Sequence, residues 1–134
     1  MNAITCLCGQ LSVQPDRRPE FAHECNCTLC RKTGARWAYY HPDHVQVSGA
    51  AKGYSRSDKP DPAAEIRFCG TCGSVTHFVL TPGAAAAHGN TMMGVNIRAL
   101  PDSELAGVEI RFPDGAAWEG AGEFGYVREP VGLG

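Results

Sequence analysis

The sequence predicts a mainly β protein with only short helical turns, and three observations support that fold class. Sixteen Gly and nine Pro are spread along the 134 residues, which favours many turns between short segments. The segments between those turns are rich in β-branched and aromatic residues, which are common in strands. Hydrophobic residues make up 43% of the chain, enough to cover a core, and we expect one domain over residues 1–134.

Six segments are predicted to be strands from this composition. In chain order they are Gln10–Gln14, His44–Ser48, Glu65–Phe68, Val75–Leu80, Met93–Arg98 and Val108–Phe112. Apolar and polar residues alternate around Ile66 and Phe68 and again around Ile110 and Phe112. This alternation is typical of antiparallel strands with one buried face.

Helical structure is predicted at two places only. One turn begins near Thr28 and runs through Arg31 and Lys32, and another covers Pro101–Leu105, where Pro-Asp-Ser-Glu resembles a helix start. Neither segment is long enough for more than one or two turns.

Three segments are predicted to lack regular structure. Ala84–Ala87 lies between Pro-Gly and His-Gly-Asn, which favours a loop of small residues. Arg56–Pro62 combines charge, Ser and two prolines, so we expect an exposed and flexible flap. The tail from Glu129 contains Pro and Gly without periodicity, and we expect it to fray.

Charge and hydropathy exclude several kinds of partner. The formal net charge of -2 leaves no basic surface for nucleic acid, and no segment reaches the ~18 apolar residues of a membrane span. The N-terminal residues lack the basic start and apolar run of a signal peptide, so we expect a cytoplasmic protein. Nothing in the sequence indicates an oligomeric state.

The seven cysteines fall into three clusters. In a chain expected to stay in the cytoplasm, such clusters favour metal ligation or redox chemistry over a disulfide framework. The clearest is Phe68-Cys69-Gly70-Thr71-Cys72-Gly73, in which two intervening residues let both sulfurs reach one tetrahedral ion at ~2.3 Å. Its glycines permit the tight turn that such a site needs.

Cys6-Leu7-Cys8-Gly9 can supply the other two sulfurs if the first strand lies beside Cys69 and Cys72. A closed four-thiolate zinc site would stabilise the fold and have no catalytic role. The alternatives are a redox dithiol at Cys69 and Cys72, or buried cysteines without a ligand. A redox dithiol is expected at the start of a helix, whereas strands flank this motif.

Cys25, Cys27 and Cys30 lie within six residues and can cap one face of a tetrahedral ion. The fourth position would be open to water or a substrate, as in catalytic zinc sites. Arg31 and Lys32 follow directly, so they favour deprotonated ligands and are candidates to bind an anionic ligand.

Other interpretations of the cluster formed by Cys25, Cys27 and Cys30 stay open. An iron–sulfur cluster normally requires four cysteines at other spacings, and a soft three-thiolate site could take copper. His23 or His77 could also complete the coordination, which would make the second site structural, although His77 could equally be an ordinary strand residue.

Taken in order, the three clusters resemble those of the glutathione-dependent formaldehyde-activating enzyme family, which includes relatives of centromere protein V. The shared pattern is C-x-C-G, then C-x-C-x-x-C-R-K-x-G-A, then F-C-x-x-C-G-S. Val95-Asn96-Ile97-Arg98 also looks like the downstream strand of the family, so the motif core covers about residues 3–112.

The resemblance implies an antiparallel β-tent fold with two zinc ions, of which the second is the more easily lost. The structural zinc ligands would be Cys6, Cys8, Cys69 and Cys72, and the catalytic zinc ligands would be Cys25, Cys27 and Cys30. The family's named activity combines glutathione and formaldehyde to S-hydroxymethylglutathione. It therefore implies a carbon–sulfur lyase with a small-molecule thiol and an aldehyde as substrates, and glutathione as co-substrate.

Residues near Cys25, Cys27 and Cys30 are candidates for supporting roles. His23 and Glu24 could relay a proton to the alkoxide of the adduct, although His23 could instead orient a ligand by hydrogen bonding. Trp37, Tyr39 and Tyr40 could line a pocket or pack in the core.

Two other functions remain open beside the lyase. A β-tent can also be a protein-binding module, as in a small-GTPase exchange chaperone of similar fold, but that role needs only the closed zinc site. A thiol or zinc sensor would lose metal when Cys25, Cys27 and Cys30 are oxidised.

Overall fold

The computed structural model describes residues 1–134 and contains eleven strands and two short α-helices. The strands are β1 (Ile4–Thr5), β2 (Ser12–Pro15), β3 (Phe21–His23), β4 (Trp37–Tyr40), β5 (Val45–Ser48), β6 (Ala51–Ser55), β7 (Ala64–Cys69), β8 (Val75–Leu80), β9 (Met93–Asn96), β10 (Glu109–Arg111) and β11 (Val131–Gly132). The α-helices are α1 (Thr28–Thr33) and α2 (Pro82–His88), and 3-10 turns cover Pro42–His44, Ile97–Ala99 and Asp102–Leu105. None of the helices has the length and apolar character needed to cross a bilayer.

The strands form two sheets. The small sheet has the order β1-β2-β5, and the large sheet has the order β11-β10-β3-β4-β9-β8-β7-β6. Every strand pair is antiparallel except β10 with β3, where Glu109 lies opposite Phe21 in a parallel register. The predicted mainly β class is therefore confirmed, with one parallel pair within an otherwise antiparallel arrangement.

The main core joins the two sheets. Ile4 and Val13 of the small sheet pack with Ala38, Val95 and Ile110 of the large sheet, and each of these side chains is almost fully buried. Full burial of a Val or Ile side chain contributes ~1.5–3 kcal/mol, so these contacts hold the sheets together. The fold thereby fixes the loops that carry the cysteines.

All six predicted strands are present, although five of them begin or end at residues other than those predicted. Val75–Leu80 has the predicted bounds, whereas Met93–Arg98 ends as a strand at Asn96 and continues as a 3-10 turn. There the Asn96 side chain accepts a hydrogen bond from the amide of Arg98 at 3.2 Å, which turns the chain out of the sheet. The predicted turn at Thr28 is α1, and that at Pro101–Leu105 is a 3-10 turn.

The prediction of a loop at Ala84–Ala87 is wrong, because this run lies within α2. Thr81 caps the helix by accepting a hydrogen bond from the amide of Ala84 at 3.2 Å, and Pro82 occupies the first turn. Threonine at the cap, proline in the first turn and alanine in the interior all favour a helix.

The prediction of a fraying tail is also wrong, because Val131–Gly132 pairs with β10. The amide of Leu133 donates to the carbonyl of Val108 at 2.9 Å, and the amide of Gly107 donates to Leu133 at 2.8 Å. Leu133 also packs against the main core. These contacts anchor the C-terminus, which composition alone does not reveal.

Candidate metal centres and cavity

The first cluster brings together the two cysteine pairs at the ends of one strand from each sheet. Cys6 and Cys8 follow β1, and Cys69 and Cys72 occupy the end of β7 and the turn into β8. The four sulfur atoms lie within 4.8 Å of one another, and Cys8 Sγ is 3.6 Å from the Sγ atoms of Cys6 and Cys69. A tetrahedron with ~2.3 Å metal–sulfur bonds has edges of about 3.8 Å, so this set could hold zinc.

Hydrogen bonds to sulfur prepare this four-cysteine cluster for a cation. The amide of Leu11 donates to Cys6 Sγ at 3.2 Å, and the amide of Thr71 donates to Cys69 Sγ at 3.4 Å. Hydrogen bonding by Ser74 lowers the pKa of the Cys72 thiol to about 5. Donors aimed at sulfur stabilise the thiolate, which is the form that binds metal.

The second cluster spans the link from β3 to α1, with Cys25 and Cys27 before the helix and Cys30 in its first turn. The sulfurs of Cys25, Cys27 and Cys30 are within 4.8 Å of one another, and no fourth Cys, His, Asp or Glu belongs to the group. Cys27 is the N-cap of α1, and its sulfur accepts a hydrogen bond from the amide of Cys30 at 3.4 Å. The helix therefore fixes the spacing of two of the three sulfurs.

The thiols of Cys27 and Cys30 are shifted in opposite directions. Hydrogen bonds from Cys25 and Cys30 lower the pKa of the Cys27 thiol to about 2, and hydrogen bonds with Cys25 and Cys27 raise the pKa of the Cys30 thiol. A bound cation would displace thiol protons from the cluster. Three soft sulfur donors at one point could hold zinc while leaving one coordination position free.

The three-cysteine cluster forms part of the wall of a cavity of about 530 Å³. None of the four cysteines in the first cluster lines it. The apolar lining includes aromatic and aliphatic side chains from β4 and β8 of the large sheet, from α1, from the loop before β9 and from the C-terminal segment, namely Leu29, Trp37, Tyr39, Phe78, Leu80, Met92, Trp118 and Phe124. The two clusters thus differ in access, since only the second is open to a ligand in this cavity.

The charged residues of the cavity differ from those that the sequence suggested. Arg31 and Lys32 lie exposed on α1, and neither lines the cavity. The lining instead includes Arg56 and Lys59 from the segment predicted to be an exposed flap. Arg56 forms a bidentate ion pair with Asp58, with nitrogen–oxygen distances of 2.9 and 2.6 Å.

His23 lines the cavity, whereas its neighbour Glu24 does not. Glu24 forms ion pairs with Arg98 and, at 3.6 Å, with Arg36, so its carboxylate is engaged outside the cavity. His23 Nδ1 is 2.9 Å from the hydroxyl of Tyr39. Burial lowers the pKa of His23, with a further contribution from Arg111, and burial raises the pKa of Tyr39.

The other histidine and aromatic candidates are also placed by the structure. His77 is buried, is 2.8 Å from Thr76 Oγ1 through Nδ1, and belongs to neither cluster. Burial lowers its pKa to about 4, so it stays neutral inside the sheet. Trp37 and Tyr39 line the cavity, while Tyr40 packs in the main core.

The C-terminal segment is the part of the cavity that sequence reasoning missed. It contributes Pro113, Gly115, Trp118, Glu119, Gly120 and Phe124. Its aromatic residues stand in a glycine-rich stretch without strand or helix periodicity, where a core role is not expected. That combination was the available signal for a ligand-facing loop.

Gly115 lies so close to the three-cysteine cluster that a side chain would collide with it. A Cβ atom at this position would be 2.4 Å from Cys25 Sγ and 3.1 Å from Cys27 Cβ. We expect Gly115→Ala to weaken metal binding by the second cluster about 5- to 150-fold, because such overlap typically costs ~1–3 kcal/mol. The measurement is zinc affinity by competition with a chromophoric chelator.

Gly125→Ala is the matched control, since a Cβ there meets no heavy atom within 4 Å and lies in the same segment. We expect two zinc ions to be retained by that variant. Unchanged affinity of both zinc ions in Gly115→Ala would contradict the close contact between residue 115 and the cluster.

The fold and the site define a small, mainly β protein with two cysteine clusters that could bind zinc, one of them beside a cavity. A family model for glutathione-dependent formaldehyde-activating enzymes matches residues 1–106. The chain belongs to this family. The resemblance seen in the order and spacing of the cysteines is therefore confirmed.

The fold is also similar to that of a solved protein from Rhodobacter sphaeroides. The two share 28% sequence identity with a TM-score of 0.57, over 74% of this chain and 87% of the other. No individually curated protein sequence matched the chain.

Proposed function

We propose that this protein is a zinc-dependent carbon–sulfur lyase that forms or breaks a thiol–aldehyde adduct, with glutathione as thiol and formaldehyde as the reference aldehyde. The observation that carries the proposal is the position of Cys25, Cys27 and Cys30 in the wall of a cavity large enough for a small molecule. Membership of the family supports the same activity.

The two clusters differ in the number of sulfur ligands and in their position relative to the cavity, and this difference supports the proposal. Cys6, Cys8, Cys69 and Cys72 would hold a structural zinc, since they supply four sulfurs and none of them lines the cavity. Cys25, Cys27 and Cys30 would hold the catalytic zinc. A protein-binding module would not need the second cluster or its cavity.

A zinc ion held by these three cysteines supplies Lewis-acid chemistry, which favours ionisation of a thiol and polarises a carbonyl. The protein's own side chains would exclude water, bind the substrate and transfer the proton. Trp37, Phe78 and Phe124 exclude water from the reacting groups, and Lys59, which forms no ion pair, offers a cation to a carboxylate of glutathione.

His23 is the proposed proton carrier. In the tautomer with its proton on Nδ1, that nitrogen donates a hydrogen bond to the Tyr39 hydroxyl oxygen, which orients the ring at the cavity wall. Nε2 can then take the thiol proton and pass it to the oxygen of the adduct, and the same transfers run in reverse on breakdown. Seven free thiols also suit the reducing cytoplasm, where we propose that the protein acts.

The test is the rate of exchange between free and glutathione-bound formaldehyde, measured by ¹³C exchange NMR, because the uncatalysed reaction also occurs. We expect protein with two bound zinc ions to accelerate exchange, and His23→Gln to lower that acceleration about 10²-fold with zinc content unchanged. His88→Gln is the control, since His88 is exposed and outside the cavity. No acceleration by the fully loaded protein would sink the proposed function.

A further inference from the structure

The C-terminal wall of the cavity, defined as residues 113–124, lies beyond the part of the chain that matches the family model. It is fixed to the three-cysteine cluster by Asn26, which stands between two of the cysteines. Asn26 Nδ2 donates to Asp114 Oδ1 at 2.8 Å, and Asn26 Oδ1 accepts from the amide of Ala116 at 2.9 Å. Both ends of one side chain therefore hold the wall at a set distance from the cluster.

The C-terminal wall presents two aromatic rings to the cavity. Trp118 and Phe124 meet edge to face with centroids 6.2 Å apart, and Trp118 Nε1 donates to the carbonyl of Gly122 at 3.0 Å. Phe124 also lies 5.7 Å from the ring of His23. These contacts give a loop without regular secondary structure a defined apolar face.

The sheet supplies a second aromatic face. Trp37 and Phe78 are 2% and 7% exposed and meet edge to face at 4.9 Å. Cys30 packs against the buried cluster that this pair forms with Ala35. A substrate group bound beside the three cysteines would therefore lie between the aromatic residues of the sheet and those of the C-terminal wall.

Charged side chains occupy the mouth of the same cavity. Lys59 and Glu119 line it but are exposed to solvent, and Lys59 forms no ion pair. A zwitterionic thiol such as glutathione has groups of both signs that suit these side chains. The interior offers aromatic surface, and formaldehyde carries no substituent to cover it.

We infer, on the basis of the proposed lyase function, that the aldehyde substrate carries a flat apolar group such as a phenyl ring, which Trp118 and Phe124 select. Flat rings pack well against aromatic faces, and their burial is favourable. The reaction is the addition R–SH + R′–CHO giving R–S–CH(OH)–R′. A carbon–sulfur bond forms, the C=O π electrons move to oxygen, and that oxygen takes the thiol proton.

The activity test compares phenylacetaldehyde with acetaldehyde, which share the CH₂–CHO unit and differ by the phenyl ring, with glutathione held constant. We expect the acceleration over the uncatalysed exchange to be at least about tenfold greater for phenylacetaldehyde, as for a well-filled apolar pocket. Trp118→Ala should bring that ratio close to one. Val127→Ala is the control, because Val127 is in the same segment, exposed and outside the cavity.

A binding test does not depend on turnover. Both tryptophans of the chain line the cavity, so intrinsic fluorescence reports its occupation. 2-Phenylethanethiol reproduces the sulfur–carbon–carbon–ring skeleton of the phenylacetaldehyde adduct, and we expect zinc-loaded protein to bind it at least about tenfold more tightly than ethanethiol. Phe124→Ala should remove most of that difference while both tryptophans remain.

The possible failures can be told apart. Acceleration with formaldehyde but no preference for phenylacetaldehyde would overturn the inference and leave the lyase function standing. No acceleration with any aldehyde would overturn the function. Equal binding of 2-phenylethanethiol and ethanethiol would also overturn the aromatic selectivity, whatever the activity.

Discussion

Cys72→Ser is expected to unfold the protein. Cys72 shares its cluster with Cys6 and Cys69, which are each 2% exposed, so a missing ligand leaves thiolates inside the structure without a complete metal site. A structural zinc contributes ~10–16 kcal/mol to folding in small zinc domains, whereas the net stability of a domain is ~5–15 kcal/mol. Circular dichroism and zinc content measured on the purified chain would report the loss.

The matched comparison for Cys72→Ser is Cys27→Ser in the three-cysteine cluster, since both variants replace one sulfur by oxygen. A Cys72→Ser protein that kept cooperative unfolding and two zinc ions would show that the first cluster is not a structural metal site. Unfolding of both variants to the same extent would remove the distinction between structural and catalytic clusters.

Cys27→Ser is expected to abolish activity while the protein stays folded. Cys27 is the N-cap of α1, and serine is a preferred N-cap whose oxygen can accept the hydrogen bond from the amide of Cys30. The helix should therefore survive, with a change in Tm of no more than about 5 °C. One zinc ion should be lost, and the acceleration of adduct exchange should fall by about 10³-fold.

Two measurements check this second prediction together: zinc stoichiometry by elemental analysis and exchange rate by NMR. Gly125→Ala again provides a folded reference from the cavity's own segment. Full activity with only the four-cysteine site filled would mean that the second cluster does not carry the chemistry, and the proposed catalytic role of Cys25, Cys27 and Cys30 would be abandoned.

The cysteine clusters were predictable because their members are close in sequence or share strong local turn signals. Cys25, Cys27 and Cys30 need only one short helix to converge, and α1 provides it. Gly73, with φ +79, lies in the turn that follows the Cys69 and Cys72 pair, as the motif suggested. The pairing of Cys6 with Cys69 needed the correct guess that β1 lies near the β7–β8 turn.

The cavity could not be predicted in the same way. Its C-terminal wall depends on a contact between Asn26 and Asp114, 88 positions apart, and neither residue belongs to a recognisable pattern. Arg56 and Lys59 line the cavity, whereas Arg31 and Lys32 lie exposed on α1 outside it, an orientation that their sequence positions do not reveal. For α2, the Thr81-Pro82 start was visible in the sequence, but the flanking glycines were given too much weight.

Because β3 pairs in parallel with β10, the cavity can be completed only late in the synthesis of the chain. Glu109 lies opposite Phe21, so the strand that leads into Cys25 acquires this neighbour only after most of the chain has been synthesised. Contacts this distant in sequence form slowly, since a long loop must close first. During synthesis, the three cysteines are therefore present well before their enclosing wall, and the nascent chain is exposed to oxidants and competing metals through that interval.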